Sequence, residues 1–83
     1  MASREEDLTR AVDVALAGDW ETAHALAQRH EGDAMADWLH AVLHKIEGDV
    51  GNSRYWYARV AHTFEEYADP RAELAAVRAS ISR

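Results

Sequence analysis

The sequence contains no cysteine, which removes disulfides, thiolate metal sites and thiol nucleophiles from consideration. No apolar run approaches the ~20 residues that a membrane-spanning helix needs. The opening MASREEDLTRAV has no apolar signal-peptide core, so the expected location is the cytoplasm. Cations are scarce as well: nine Lys and Arg face fifteen Asp and Glu, for a formal charge of -6. Phosphate binding needs clustered Lys and Arg, and Arg54 and Arg59 stand apart from any basic run, so nucleic acid is disfavoured as a partner. Anionic membranes are disfavoured for the same reason. There is no glycine-rich phosphate loop and no Gly-x-Ser-x-Gly turn. Ser3, Ser53, Ser80 and Ser82 fall at caps or in the tail, without the surroundings of a nucleophile. Apolar residues nowhere alternate, which excludes a strand reading.

What is present is helical. The chain has 83 residues, 48% of them hydrophobic, ordinary for a globular protein. A chain this short buries only about 60% of the surface that its unfolded form exposes, so a homodimer or a protein partner is expected to help it. Ser3-Arg4-Glu5-Glu6 has the form of a capping box, and Leu8, Val12, Ala15 and Leu16 then share one face. Gly18 ends that helix and Asp19 caps the next, which carries Trp20, Ala23, Leu26 and Ala27. Gly32-Asp33 and Gly48-Asp49 repeat the stop and the cap. Between them Met35, Leu39, Val42, Leu43 and Ile46 form the strongest apolar stripe. Trp56, Val60, Thr63, Phe64 and Tyr67 continue at helical spacing, predicting a fourth helix that reaches about residue 68. Asp69-Pro70 opens a last helix over about 70–82. The predicted fold is a single all-α domain, residues 1–83, of five short helices. Hairpin 1 spans about 4–31, hairpin 2 about 34–68, and the C-terminal helix closes the stack.

Gly18-Asp19-Trp20 and Gly48-Asp49-Val50 stand 30 residues apart and place Leu16 over Ile46 and Leu26 over Trp56. A register of this length suggests stacked helical hairpins. The string EGDVGNSRYWYARVA around Gly48 to Ala61 resembles the second half of a Sel1-like or tetratricopeptide repeat, where Gly-Asp precedes a Trp-Tyr pair. Departures are Gly51-Asn52, where such repeats prefer helix formers, and the first hairpin, which lacks the aromatic pair. The resemblance covers about one and a half repeats and implies a protein-interaction scaffold rather than an enzyme. The longer string WLHAVLHKIEGDVGNSRYWY also resembles a group of short bacterial proteins of unassigned function.

The residues that could carry chemistry lie on the third helix. Asp37, His40, His44 and Glu47 recur at i, i+3, i+7 and i+10 and cover about 80° of the helical wheel, roughly 150° from the apolar stripe. The helix therefore has an apolar face and a face of imidazoles and carboxylates. Histidines at i and i+4 can hold one divalent metal, with Asp37 or Glu47 completing or orienting the site. The residue after His40 is Ala41, so the His-Glu-x-x-His arrangement of a metalloprotease is excluded. The same stripe can equally be a solvated polar face, or the floor of a groove that takes a protein or peptide. Arg54, Tyr55 and Tyr57 would stand beside it as interface anchors. His30 reads as a core-edge histidine, and His24 and His62 as surface residues off the stripe.

These features predict a small binding module that recognises a protein or peptide through Asp37, His40, His44, Glu47, Arg54, Tyr55 and Tyr57. The alternative is a metal-binding protein, or a metal-dependent enzyme, built on His40 and His44 with Asp37.

Overall fold

The Gly-Asp pairs punctuate the chain as expected in the computed structural model, which describes residues 3–81. Helix α1 (Arg4–Leu16) begins at Ser3, whose hydroxyl accepts from the Glu6 amide while the Glu6 carboxylate accepts from the Ser3 amide. Helices α2 (Trp20–Gln28), α3 (Ala34–Glu47) and α4 (Val50–Tyr57) are capped by Asp19, Asp33 and Asp49. Each cap satisfies amides that the first helical turn leaves unpaired. Gly18 and Gly48 sit at φ 91° and 84°, the left-handed region in which a Cβ is penalised. The Asp69 carboxylate accepts from the Arg71 amide and opens α5 (Pro70–Ile81). The expected helix end near residue 82 and the fraying of Ser82 and Arg83 lie outside the described residues.

The architecture is all-α, with no strand among the described residues. Helices α1 and α2 form one antiparallel pair and α3 and α4 another, and α5 packs against α1 and α3. No described helix is long and apolar enough to cross a membrane. Leu8 and Val12 of α1, Leu26 of α2, Leu39, Val42 and Leu43 of α3, and Leu74 and Val77 of α5 make up most of the buried core.

Helix α3 is the central element and touches all four others. Every residue from Ala36 to His44 is buried, so its histidine face is covered as fully as its apolar face. A helix that neighbours surround on all sides has no solvated stripe. Ile46 belongs to the expected apolar stripe but is 43% exposed, because the last turn of α3 runs past its cover.

Helix α4 stops at Tyr57, short of the expected end near residue 68. Residues 58–69 instead fold back as turns, opened by tight bonds from the Arg59 amide to the Trp56 carbonyl and from Val60 to Tyr57. Val60, His62, Thr63 and Phe64 have weak helix propensity, and the Lys45 ammonium donates to the Tyr67 carbonyl at 3.1 Å. The segment is thereby tied to α3 instead of continuing the helix. Phe64 and Tyr67 still pack against the core edge.

One buried polar knot joins α3, α4 and α5. Glu73 is 0% exposed, and its carboxylate accepts from Trp38 Nε1 (2.9 Å), the Tyr57 hydroxyl (2.6 Å) and Lys45 Nζ (2.7 Å). Burial, then the bond to Glu73, push the Tyr57 phenol far above its ordinary range, so it is held as a donor. A buried carboxylate is tolerated when donors of this kind surround it.

Candidate metal centre

Three imidazoles converge where α2 meets α3. His40 lies at the bottom, 2% exposed, with His44 also buried and His24 of α2 half-buried at the rim. His24 Nε2 and His40 Nε2 are 2.9 Å apart. One ligating nitrogen from each of His24, His40 and His44 lies within 4.8 Å of the others. Three imidazole nitrogens on one tetrahedral ion, each ~2.0–2.1 Å from it, would stand ~3.3 Å apart. Closing the present set around an ion therefore asks for side-chain movements of at most roughly 1.5 Å.

Aromatic walls hold these rings. Trp20, one turn before His24 on α2, stacks on it with centroids 4.6 Å apart, and its Nε1 donates to the Leu43 carbonyl of α3 at 2.6 Å. Trp56 of α4 stacks on His40 at 3.9 Å. His40 and His44 are themselves stacked at 5.0 Å. Behind His44, Nδ1 donates to Glu47 Oε1 at 2.6 Å. A carboxylate there fixes the proton on Nδ1 and leaves Nε2 as a lone pair, the arrangement that commonly orients a metal-bound histidine. His44 also groups with Glu47 and Asp49, on the exposed side of the turn.

The electrostatics favour the neutral rings of His24 and His40. Burial, with added repulsion from His24 and His44, pulls His40 down to about 4. His24 is lowered by burial and by His44, partly offset by Glu47 and Glu31. Neutral imidazole is the form that binds a metal. In the His24–His40 contact one Nε2 must carry the proton and the other accept it. Whichever does so, His40 Nδ1 is buried and has no hydrogen-bond partner among the described residues. An unsatisfied buried polar group costs about 1–3 kcal/mol. The contact to His24 through Nε2 is thus the one hydrogen bond that His40 makes among the described residues.

The residues singled out in the sequence separate into four places. His40, His44 and Glu47 come together with His24. Asp37 is buried, and its Oδ1 accepts from the Gly32 amide at 3.1 Å, closing the α2–α3 turn. Tyr57 is buried in the Glu73 knot. Arg54 and Tyr55 lie on the outer face of α4, Arg54 paired with Glu65 and Tyr55 accepting from Arg59 at 2.9 Å. His30 pairs with Asp7 at 2.9 Å, and His62 stacks on Trp38 at 3.7 Å.

His24 is the residue that wheel arguments on a single helix miss. A signal for it exists in the chain. His24 and His40 stand eight residues either side of Gly32, and Trp20 and His44 twelve. In two antiparallel helices joined at that glycine, residues equidistant from it face one another.

Set against protein-family models, curated proteins and solved structures, the chain has no match. The class defined by fold and site is a small five-helix protein with a partly buried histidine triad.

Proposed function

We propose that this protein binds one transition-metal ion through His24, His40 and His44, with Glu47 orienting His44. The observation that carries the reading is the convergence of three imidazoles, two of them buried, around a 2.9 Å contact. An all-imidazole donor set suits zinc, copper or nickel and is poor for magnesium or calcium, which prefer oxygen. The ion would sit at the seam between the two hairpins and replace the proton shared by His24 and His40.

Isothermal titration with Zn²⁺ at neutral pH tests this, with tryptophan emission followed in parallel because Trp20 and Trp56 contact two of the ligands. The expected result is one ion per chain. Binding should weaken about 10–100-fold in Glu47→Gln and far more in His24→Ala or His40→Ala. Equal Zn²⁺ affinity in wild type and the His24→Ala, His40→Ala double variant would overturn it.

A second reading is favoured by the large apolar side chains Ile46, Val50 and Tyr55, all exposed near the α3–α4 turn. Together with Arg54 they offer an anchor for a protein partner or for a second copy in a homodimer, as the Sel1-like or tetratricopeptide resemblance implies. Sedimentation of wild type and Val50→Glu tests the homodimer form; a monomer at all concentrations in both would sink it.

A further inference from the structure

We infer that the ion held by His24, His40 and His44 keeps one coordination position open to solvent, and that the ligand it takes there is a small monodentate anion. This rests on the metal-binding reading above and goes on to the chemistry of the bound ion.

The donors number three. The ligating group contains three side chains and no fourth among the described residues. The nearby carboxylates are engaged elsewhere, Asp49 on the Asn52 amide and side chain at 3.2 and 2.7 Å. Glu47 is held on His44 Nδ1 at 2.6 Å, and Asp37 on the Gly32 amide at 3.1 Å. The remaining walls are the Trp20 and Trp56 indoles, which offer only an N–H donor and cannot ligate. That donor in Trp20 already bonds the Leu43 carbonyl. Sites with three protein ligands complete their shell with water or an exogenous ligand, whereas structural sites supply all four themselves.

Three neutral imidazoles leave the full charge of a divalent ion uncompensated in a partly buried setting, where electrostatic interactions are strengthened. Glu47 offsets part of it through His44. Arg59 adds positive charge nearby, its guanidinium 5.5 Å from the centre of the Trp56 ring that stacks on His40. An anion is therefore a better fourth ligand than a neutral molecule. Access follows from the walls. His40 is at the buried floor, and indoles stack on both His24 and His40, so the half-buried His24 edge is the way in.

The probe is Co²⁺, whose visible ligand-field bands respond to coordination number, titrated into the full chain and followed by sodium azide. The expected result is a set of bands that azide shifts along a saturable single-site curve and that a chelator abolishes. Glu47→Gln should bind Co²⁺ more weakly yet show the same azide-induced shift. Bands that azide leaves unchanged would overturn the open position while leaving the metal-binding reading intact. Absence of bands in a protein that also fails to take up Zn²⁺ would overturn both.

Discussion

Replacing Glu73 with Ala isolates the knot that ties α5 to the other helices. In the folded protein the carboxylate is inaccessible and takes bonds from Trp38, Tyr57 and Lys45. Removing it orphans two neutral donors, each costing about 1–3 kcal/mol when buried. It also strips a buried ammonium of its counter-charge, which typically costs about 3–5 kcal/mol. Lys45 keeps the Tyr67 carbonyl and the faces of Tyr57 and Phe64, each ring centre 5.0 Å away, so the low end applies. The expected loss is about 5 kcal/mol in urea unfolding, a large share of the ~4–12 kcal/mol typical of a domain this size. Alanine is the better helix former, so propensity works against the loss. Adding Lys45→Met to Glu73→Ala should recover part of it, since the unpaired charge is then gone. A loss under about 1 kcal/mol for Glu73→Ala would refute the reasoning.

Acid should destabilise the metal-free protein before its carboxylates titrate. His40 is held down to about 4 in the fold against ~6.5 unfolded, so the unfolded chain binds more protons between these values. Stability tied to His40 is thus present above pH 6.5 and falls as pH drops through this window, by about 2 kcal/mol between pH 7 and pH 5. His40→Phe, measured by chemical denaturation with chelator present, should flatten that slope. Gly48→Ala should cost about 1–2 kcal/mol from the left-handed backbone alone, since a Cβ there meets nothing within 4 Å; an unchanged midpoint would contradict the cap geometry. Ile46→Gln should stay within about 0.5 kcal/mol of wild type, because the side chain is largely in water; a loss above 2 would place it in the core after all.

The helix starts were legible because they are local. Ser3, Asp19, Asp33 and Asp49 cap by reaching two or three residues along the chain, and such bonds leave their mark in the sequence. The end of α4 was not legible. Trp56, Phe64 and Tyr67 do pack toward the core, so helical spacing was mimicked by a segment that Lys45 holds from another helix. The burial of the His40 and His44 face was missed for a related reason. A wheel separates two faces of one helix but says nothing of how many neighbours that helix has. His24 belongs to the same lesson: it reaches His40 only through the pairing of α2 with α3.

Lys45 is the single lysine of the chain, and its side chain is only 8% exposed, clasped between Glu73 and the rings of Tyr57 and Phe64. Acylating reagents that attack the free amine therefore find this lysine only when the knot opens. The rate at which Lys45 is acylated, read by peptide mass, becomes a built-in clock for the opening of α5. Labelling chemistry aimed at lysine would have to unlock the fold before it could decorate it.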